Sequence, residues 1–300
     1  MKHRYSLIAL VLLLVSACAS QEATATHTPT LAEVVPTTEA TDEAPPIEVS
    51  EGPVAVVNGE EISGASLAFS LALYEAALIE NGTFLATEGI EQVVLDDLIA
   101  RALLAQAAHE AGFSATDALV AERLQASIEK AGGQAAYEAW LAEYGLSADD
   151  FERELAIEIE AAWMRNELAE AVPTEAEQVE ARQILLTEAF QAERLLGQLL
   201  EGTPFETVAI NNDPQGLGYL GWFPRGYLLQ AEVEEAAFAL QPGEHSQIVE
   251  SAIGFHLIEV LDRDASRELS PNARLELQRQ ALAAWIAEQR QQSDVQVLLP

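Results

Sequence analysis

Residues 181–261 constrain the fold more tightly than any other part of this 300-residue chain. They run ARQILL, then FETVAINNDPQGLGYLGWFPRG, then EEAAFALQPGEHSQIVESAIGFHLIEV. The first and last pieces are strand-like, LGWF stops at a glycine turn, and EEAAFAL before Pro-Gly is a short helix. An opening strand, a turn, a helix and a closing strand that carries His256 follow one another in a fixed order.

The N-terminus has a different character. Lys2, His3 and Arg4 precede the apolar run LIALVLLLV and then Ser16-Ala17-Cys18. That run is too short to span a bilayer well and reads as a targeting segment. Val15-Ser16-Ala17-Cys18 resembles the bacterial lipobox, which implies cleavage before Cys18 and diacylation of its sulfur. Cys18 is the sole cysteine, so no intrachain disulfide is possible. Each buried CH₂ of an acyl chain contributes about 0.8 kcal/mol, so two or three chains anchor a protein stably. Residues 19–52, rich in Thr, Ala, Glu and Pro, lack an apolar period and read as a disordered tether.

Beyond the tether, Val54-Ala55-Val56-Val57 followed by Asn58-Gly59-Glu60-Glu61-Ile62 reads as a short strand and a turn. Ser63 caps a helix with Leu67, Leu71, Tyr74 and Leu78. Helical spacing predicts a second helix over 88–111, a third from Thr116 to Gly132-Gly133, a fourth stopped at Gly145, and a fifth from Ser147 to Pro173. A further helix opens at Ser270-Pro271, and Val295-Gln296-Val297-Leu298-Leu299 is strand-like. Two short strands at opposite ends of the folded part each need a partner. Val54–Val57 is therefore expected to pair with Val295–Leu299, closing one discontinuous helical domain around an insert.

The series over 181–261 resembles the parvulin family of peptidyl-prolyl isomerases, and VAVVNGEEIS resembles the start of the helical domain of SurA- and PrsA-type extracytoplasmic foldases. The resemblance implies an α+β protein: an all-helical chaperone-like domain, built from the N-terminal helices plus a C-terminal helix, with an inserted parvulin-like domain of small antiparallel sheet and surrounding helices. The expected divisions are a signal peptide over 1–17, a tether over 18–52, the helical domain over 53–173, the isomerase domain over 174–265, and a returning helix and strand over 266–300. It further implies cis/trans isomerisation of X-Pro bonds in unfolded or proline-containing client polypeptides, by a protein lipid-anchored at Cys18 outside a bacterial cell membrane.

Rotation about an X-Pro bond crosses a barrier of about 18–20 kcal/mol between ends that differ by only about 0.5–1 kcal/mol. Such a reaction needs no cofactor and no metal, only an apolar grip on the ring and a few placed polar groups. Carried over by motif, Leu220, Phe223, Leu229, Val233 and Phe238 would line or support a proline pocket, with Leu229 and Val233 where the family more often has Met and Phe. Gln183, Asp213 and His256 would form the polar network beneath the amide. Gln183 stands where the family usually has a His, so it cannot titrate as a His would. Each residue also has a plainer reading: the apolar five as core, His256 as a satisfied structural group, and Asp213 as part of an Asn-Asn-Asp-Pro turn.

A formal charge of −34, made more negative by removal of the leader, repels nucleic acid and anionic lipid surfaces. It suits solubility; the sharper reading is a preference for basic or partly unfolded clients. His109 and His245 lack companions at metal-ligand spacing, and neither G-x-S-x-G nor a phosphate loop is present. Besides the isomerase reading stands a holdase chaperone with a catalytically weak isomerase fold. A solute-binding lipoprotein would show two lobes of alternating strands and helices, whereas residues 63–172 read as nearly all helix.

Overall fold

The computed structural model describes residues 52–80, 89–212 and 218–299. Cys18, the leader, the tether and Asp213 lie outside the described residues. The chain divides into two compact units: one runs to Arg165 and resumes at Ile286, and the other is Asn166–Trp285.

In the first unit, β1 (Pro53–Val57) turns back as β2 (Glu60–Ser63) and then enters α1 (Gly64–Glu80). Asn58 and Gly59 both have positive φ, 53° and 88°, which matches the two-residue turn favoured by the twist of a hairpin. Glu60–Ile62, expected as turn, is thus a strand; Ile62 is the buried position of an otherwise exposed ribbon. β7 (Val295–Val297) pairs antiparallel with the other edge of β1, Ala55 opposite Val297 and Val57 opposite Val295. Asn58 fastens the turn to the start of β7: its backbone N–H donates to the Asp294 carbonyl at 2.8 Å, and its Oδ1 accepts from Asp294 N–H at 2.9 Å.

This small sheet rests on α2 (Ile90–Glu110), whose Leu95 and Ile99 are fully buried beside Ala55 and Val57. Full burial of such side chains contributes about 1.5–3 kcal/mol each. A second core gathers rings from α1, α4 (Gln134–Tyr144) and α5 (Ala148–Glu170), with Phe69, Tyr137, Trp140 and Phe151 in contact. Between them α3 (Asp117–Ala131) starts where Thr116 Oγ1 accepts from Leu119 N–H at 3.3 Å. Ser147 opens α5 in the same way, accepting from Asp150 N–H at 3.1 Å.

The second unit is built on a four-stranded antiparallel sheet in the order β4-β3-β6-β5. These strands are β3 (Glu175–Leu186), β4 (Tyr219–Pro224), β5 (Val249–Ser251) and β6 (Gly254–Glu268). α6 (Ala189–Leu200) and α7 (Phe205–Ile210) cover one face through Leu195, Leu199, Phe205 and Val208, packed on Ile184, Leu186 and Leu257. α8 (Ala231–Ala239) covers the other through Val233, Ala237 and Phe238, packed on Val179, Ala181, Ile258 and Val260.

The closing helix α9 (Pro271–Gln292) is shared between the units rather than wholly returned to the first. Its Gln280 Nε2 donates to the Gly226 carbonyl at 2.5 Å, and a Cβ at Gly226 would stand 2.8 Å from Gln280 Oε1. Gln278 Nε2 donates to the Ala169 carbonyl at 3.0 Å. These contacts hold the first half of α9 to the second unit.

Candidate functional site

The long strands β3 and β6 pair with Gln183 opposite Ile258 and Leu185 opposite His256. Side chains alternate along a strand, so Gln183, Leu185, His256 and Ile258 share the face covered by α8, and Gln183 and His256 are diagonal neighbours. The His256 ring is fully buried. Its Nδ1 meets Gln183 Oε1 at 2.8 Å, and its Nε2 meets Ser251 Oγ at 2.7 Å. Because a carboxamide oxygen only accepts, Nδ1 carries the proton, and Ser251 donates its hydroxyl hydrogen to Nε2. Ser251 Oγ in turn accepts from Ile253 N–H at 3.2 Å.

Burial drives the His256 imidazolium below its ordinary range, against the opposing pull of the Glu232 carboxylate. The ring is therefore neutral near pH 7. Both of its nitrogens are hydrogen-bonded within the protein. With Oε1 held by His256, the hydrogen bonds Gln183 offers to the space beside it come from its NH₂ end.

A cavity of about 150 Å³ is lined by Gln183, Ile184, Leu185, Ala209, Asn212 and Gly218. It has room for several waters. Gly218 closes tightly on the strand: Gln183 N–H donates to its carbonyl at 2.8 Å, and a Cβ at Gly218 would lie 1.6 Å from the Gln183 carbonyl oxygen. With φ at +66°, the position suits glycine on both counts.

Beside this polar group stands the apolar cluster on the same face. Phe223, Val233 and Phe238 are almost wholly inaccessible, and Leu220 is half-buried against them. Phe223 and Phe238 meet edge to face at 6.1 Å. The Arg225 guanidinium lies over the Phe238 ring, 4.1 Å from its centroid. These rings support a surface rather than offer one.

Leu229 departs from expectation, being 94% exposed and outside the cluster, whereas Leu228 packs into it. The physical reason lies in the turn before α8. Glu234 accepts three backbone N–H groups, from Gly226 at 2.7 Å, Tyr227 at 3.0 Å and Leu228 at 3.1 Å. That clamp directs Leu228 inward and leaves the next residue outside.

The structure thus brings Gln183 and His256 together beside Leu220, Phe223, Val233 and Phe238, and leaves Leu229 apart. Ser251 is the partner that sequence reasoning missed. Its signal was positional: Ser251 and Gly254 pair across the two-residue turn that leads from β5 into β6, and Gly254 has φ +140°, so the chain folds Ser251 back toward His256.

Family models match two successive parts of the chain. Residues 40–165 match the model of a SurA-like N-terminal domain, and residues 168–262 that of a PPIC-type PPIase domain. A chaperone SurA from Nitrosospira multiformis is 36% identical over 133 residues, 40% of this chain and 30% of that protein. A foldase protein PrsA from Caldanaerobacter subterraneus subsp. tengcongensis is 29% identical over 231 residues, 70% of this chain and 74% of that one. The chain therefore spans under a third of the SurA relative and about three quarters of the PrsA relative. Among solved structures, PrsA from Bacillus cereus superposes with a TM-score of 0.46 at 19% identity, covering 80% of this chain and 89% of that one. The buried histidine network and the apolar cluster beside it accordingly lie in a PPIC-type peptidyl-prolyl isomerase domain, preceded in this chain by a SurA-like N-terminal domain.

Proposed function

We propose that this chain catalyses cis/trans isomerisation of X-Pro bonds in unfolded polypeptides, as an extracytoplasmic foldase anchored through Cys18 to a bacterial cell membrane. The observation that supports the reading most is the neutral, doubly hydrogen-bonded His256 set beside an apolar cluster on one sheet face. Twisting an amide localises the nitrogen lone pair and reduces charge separation across the O–C–N group. An apolar, water-poor surface therefore favours the twisted state over the planar one, and a donor near the prolyl nitrogen favours it further. Gln183, held by His256, supplies N–H donors; Leu220, with Phe223, Val233 and Phe238 behind it, supplies the apolar surface; Asp213 joins the network by resemblance alone.

The anchor and location rest on the lipobox-like Val15–Cys18. No helix among the described residues is long and apolar enough to cross a membrane. In this reading residues 1–17 are the leader, 18–52 the tether, 53–173 and 266–300 the client-cradling body, and 174–265 the isomerase. A holdase reading draws on one specific observation, the Gln in place of the family's usual His. Proline-limited refolding of a model client separates the two. Acceleration by catalytic amounts of the full chain supports the enzyme. Suppressed aggregation at stoichiometric amounts, with the slow phase unchanged, supports the holdase and overturns the enzyme.

A further inference from the structure

We propose that the first unit holds a lysine or arginine side chain of an unfolded client in a cavity between β2, α1, α2 and α5. The inference rests on the reading of that unit as a client-cradling body, and is independent of isomerisation.

The cavity has a volume of about 100 Å³, and Ile62, Leu98 and Ala105 give it a buried apolar floor. The carboxylates of Glu60, Glu61, Glu154 and Glu160 line it too, against one guanidinium, that of Arg101. Arg101 is already committed: it lies 3.6 Å from Glu154, 3.8 Å from Glu158 and 4.0 Å from Asp97. Glu160 is the carboxylate with capacity left. Its side chain is only 8% exposed, and one oxygen, Oε1, takes both of its partners, the Ala115 N–H at 2.9 Å and His109 Nε2 at 2.8 Å. Among the described residues its Oε2 has no partner. A carboxylate this far out of water gains from a further donor, and most from a charged one.

An ammonium or guanidinium on an aliphatic stem matches this lining in both of its parts. Such side chains lay their methylenes along apolar surface and keep the charged head with polar partners. Ile62, Leu98 and Ala105 take the stem, and Glu160 Oε2 the head. The exposed lining shows how the side chain arrives: it is Glu60 and Glu61 on β2, with His109, and the Glu61 side chain has no partner among the described residues. β2 is also an edge of the β2-β1-β7 sheet, so the backbone groups of its outer side are open to an extended segment. A polypeptide running along β2 sends every second side chain to one face, which brings one of them to the cavity. The net charge of −34 draws basic segments toward it.

The test uses the full chain with isotope-labelled Ile and Leu methyls, titrated with three proline-free Gly-Ser peptides that differ in one central residue: Lys, norleucine or Glu. At low salt the Lys peptide should shift the Ile62 and Leu98 methyls and bind about tenfold more tightly than the norleucine peptide, the worth of one hydrogen bond to a charged group. Glu160→Gln should cancel that preference. Glu61→Gln, at an exposed position that nothing holds, should reduce it about twofold, and carries the test if Glu160→Gln does not fold. Glu122→Gln, an equal loss of charge at an exposed position of α3, should leave it unchanged. Equal binding of the Lys and norleucine peptides, shifts confined to other methyls, or a preference undiminished in both cavity variants overturns the proposal. So does a loss with Glu122→Gln as large as with Glu160→Gln, which assigns the effect to net charge. If no peptide binds, suppression of a denatured client's aggregation decides how far the failure reaches: with suppression only the cavity assignment falls, and without it the client-cradling reading falls as well.

Discussion

Ser251→Ala tests whether the His256 network is as closed as its distances imply. The substitution removes the hydroxyl 2.7 Å from Nε2 and leaves a lone pair on a ring that is wholly inaccessible to solvent. Moving the proton to Nε2 does not help, since that would bury an unpaired N–H instead. An unsatisfied buried group of this kind costs about 1–3 kcal/mol. For a unit the size of Asn166–Trp285, one kcal/mol lowers Tm by about 4 °C, so the loss should be about 4–12 °C. A water taking the place of the hydroxyl would put the result at the lower end. Differential scanning calorimetry of the full chain measures the shift, and Ser251→Thr, which keeps the hydroxyl, should restore most of it. A Ser251→Ala protein melting within about 1 °C of wild type would refute the reasoning, because a closed network cannot lose a partner at no cost.

Other outcomes follow from the same geometry. Gly218→Ala forces a Cβ onto the Gln183 carbonyl and should displace β3 locally, lowering both the melting temperature and any isomerase activity. Gln183→His should change activity by less than about threefold, under the worth of one hydrogen bond, because Gln183 is already engaged by His256; a gain of two orders of magnitude would mark the natural site as degraded. Leu229→Ser should leave stability within about 0.5 kcal/mol, since the side chain is almost fully exposed, while Leu228→Ser should be clearly destabilising. As for pH, burial lowers the folded pKa of His256, so between that value and the unfolded value near 6.5 the unfolded state binds the extra proton. The stabilisation is complete above about pH 6.5 and is lost as the pH falls below it. Urea midpoints of wild type should thus drop more between about pH 7.5 and 5.5 than those of His256→Asn.

Much of this architecture was legible in the chain. Asn58-Gly59 after a β-branched run, the capping residues Ser63, Thr116 and Ser147, and the glycines ending α3 and α4 are local signals whose physics acts within a few residues. The pairing of β1 with β7 was inferred because two lone strands need partners, and the register Ala55–Val297 answers that need. What escaped depended on contacts set in three dimensions. β2 lacks a hydrophobic signature because its Glu60 and Glu61 face solvent, and pairing with β1 is what makes it a strand. Leu228 and Leu229 are identical in type, so only the Glu234 clamp on the preceding backbone decides which of them enters the core. Ser251 is an ordinary serine until the turn at Ala252-Ile253 folds it onto His256. The division of α9 between two units likewise turns on Gln278 and Gln280, residues whose amides declare no partner in the sequence.

The central claim is that this sheet face loosens the X-Pro bond. Exchange NMR of a short proline peptide with the full chain measures it directly, because the free peptide interconverts only over tens to hundreds of seconds. Cis–trans exchange cross-peaks that appear on adding catalytic amounts of wild type, and weaken with Ser251→Ala, are the expected result. A folded wild-type protein that leaves the peptide's exchange rate unchanged would contradict the account.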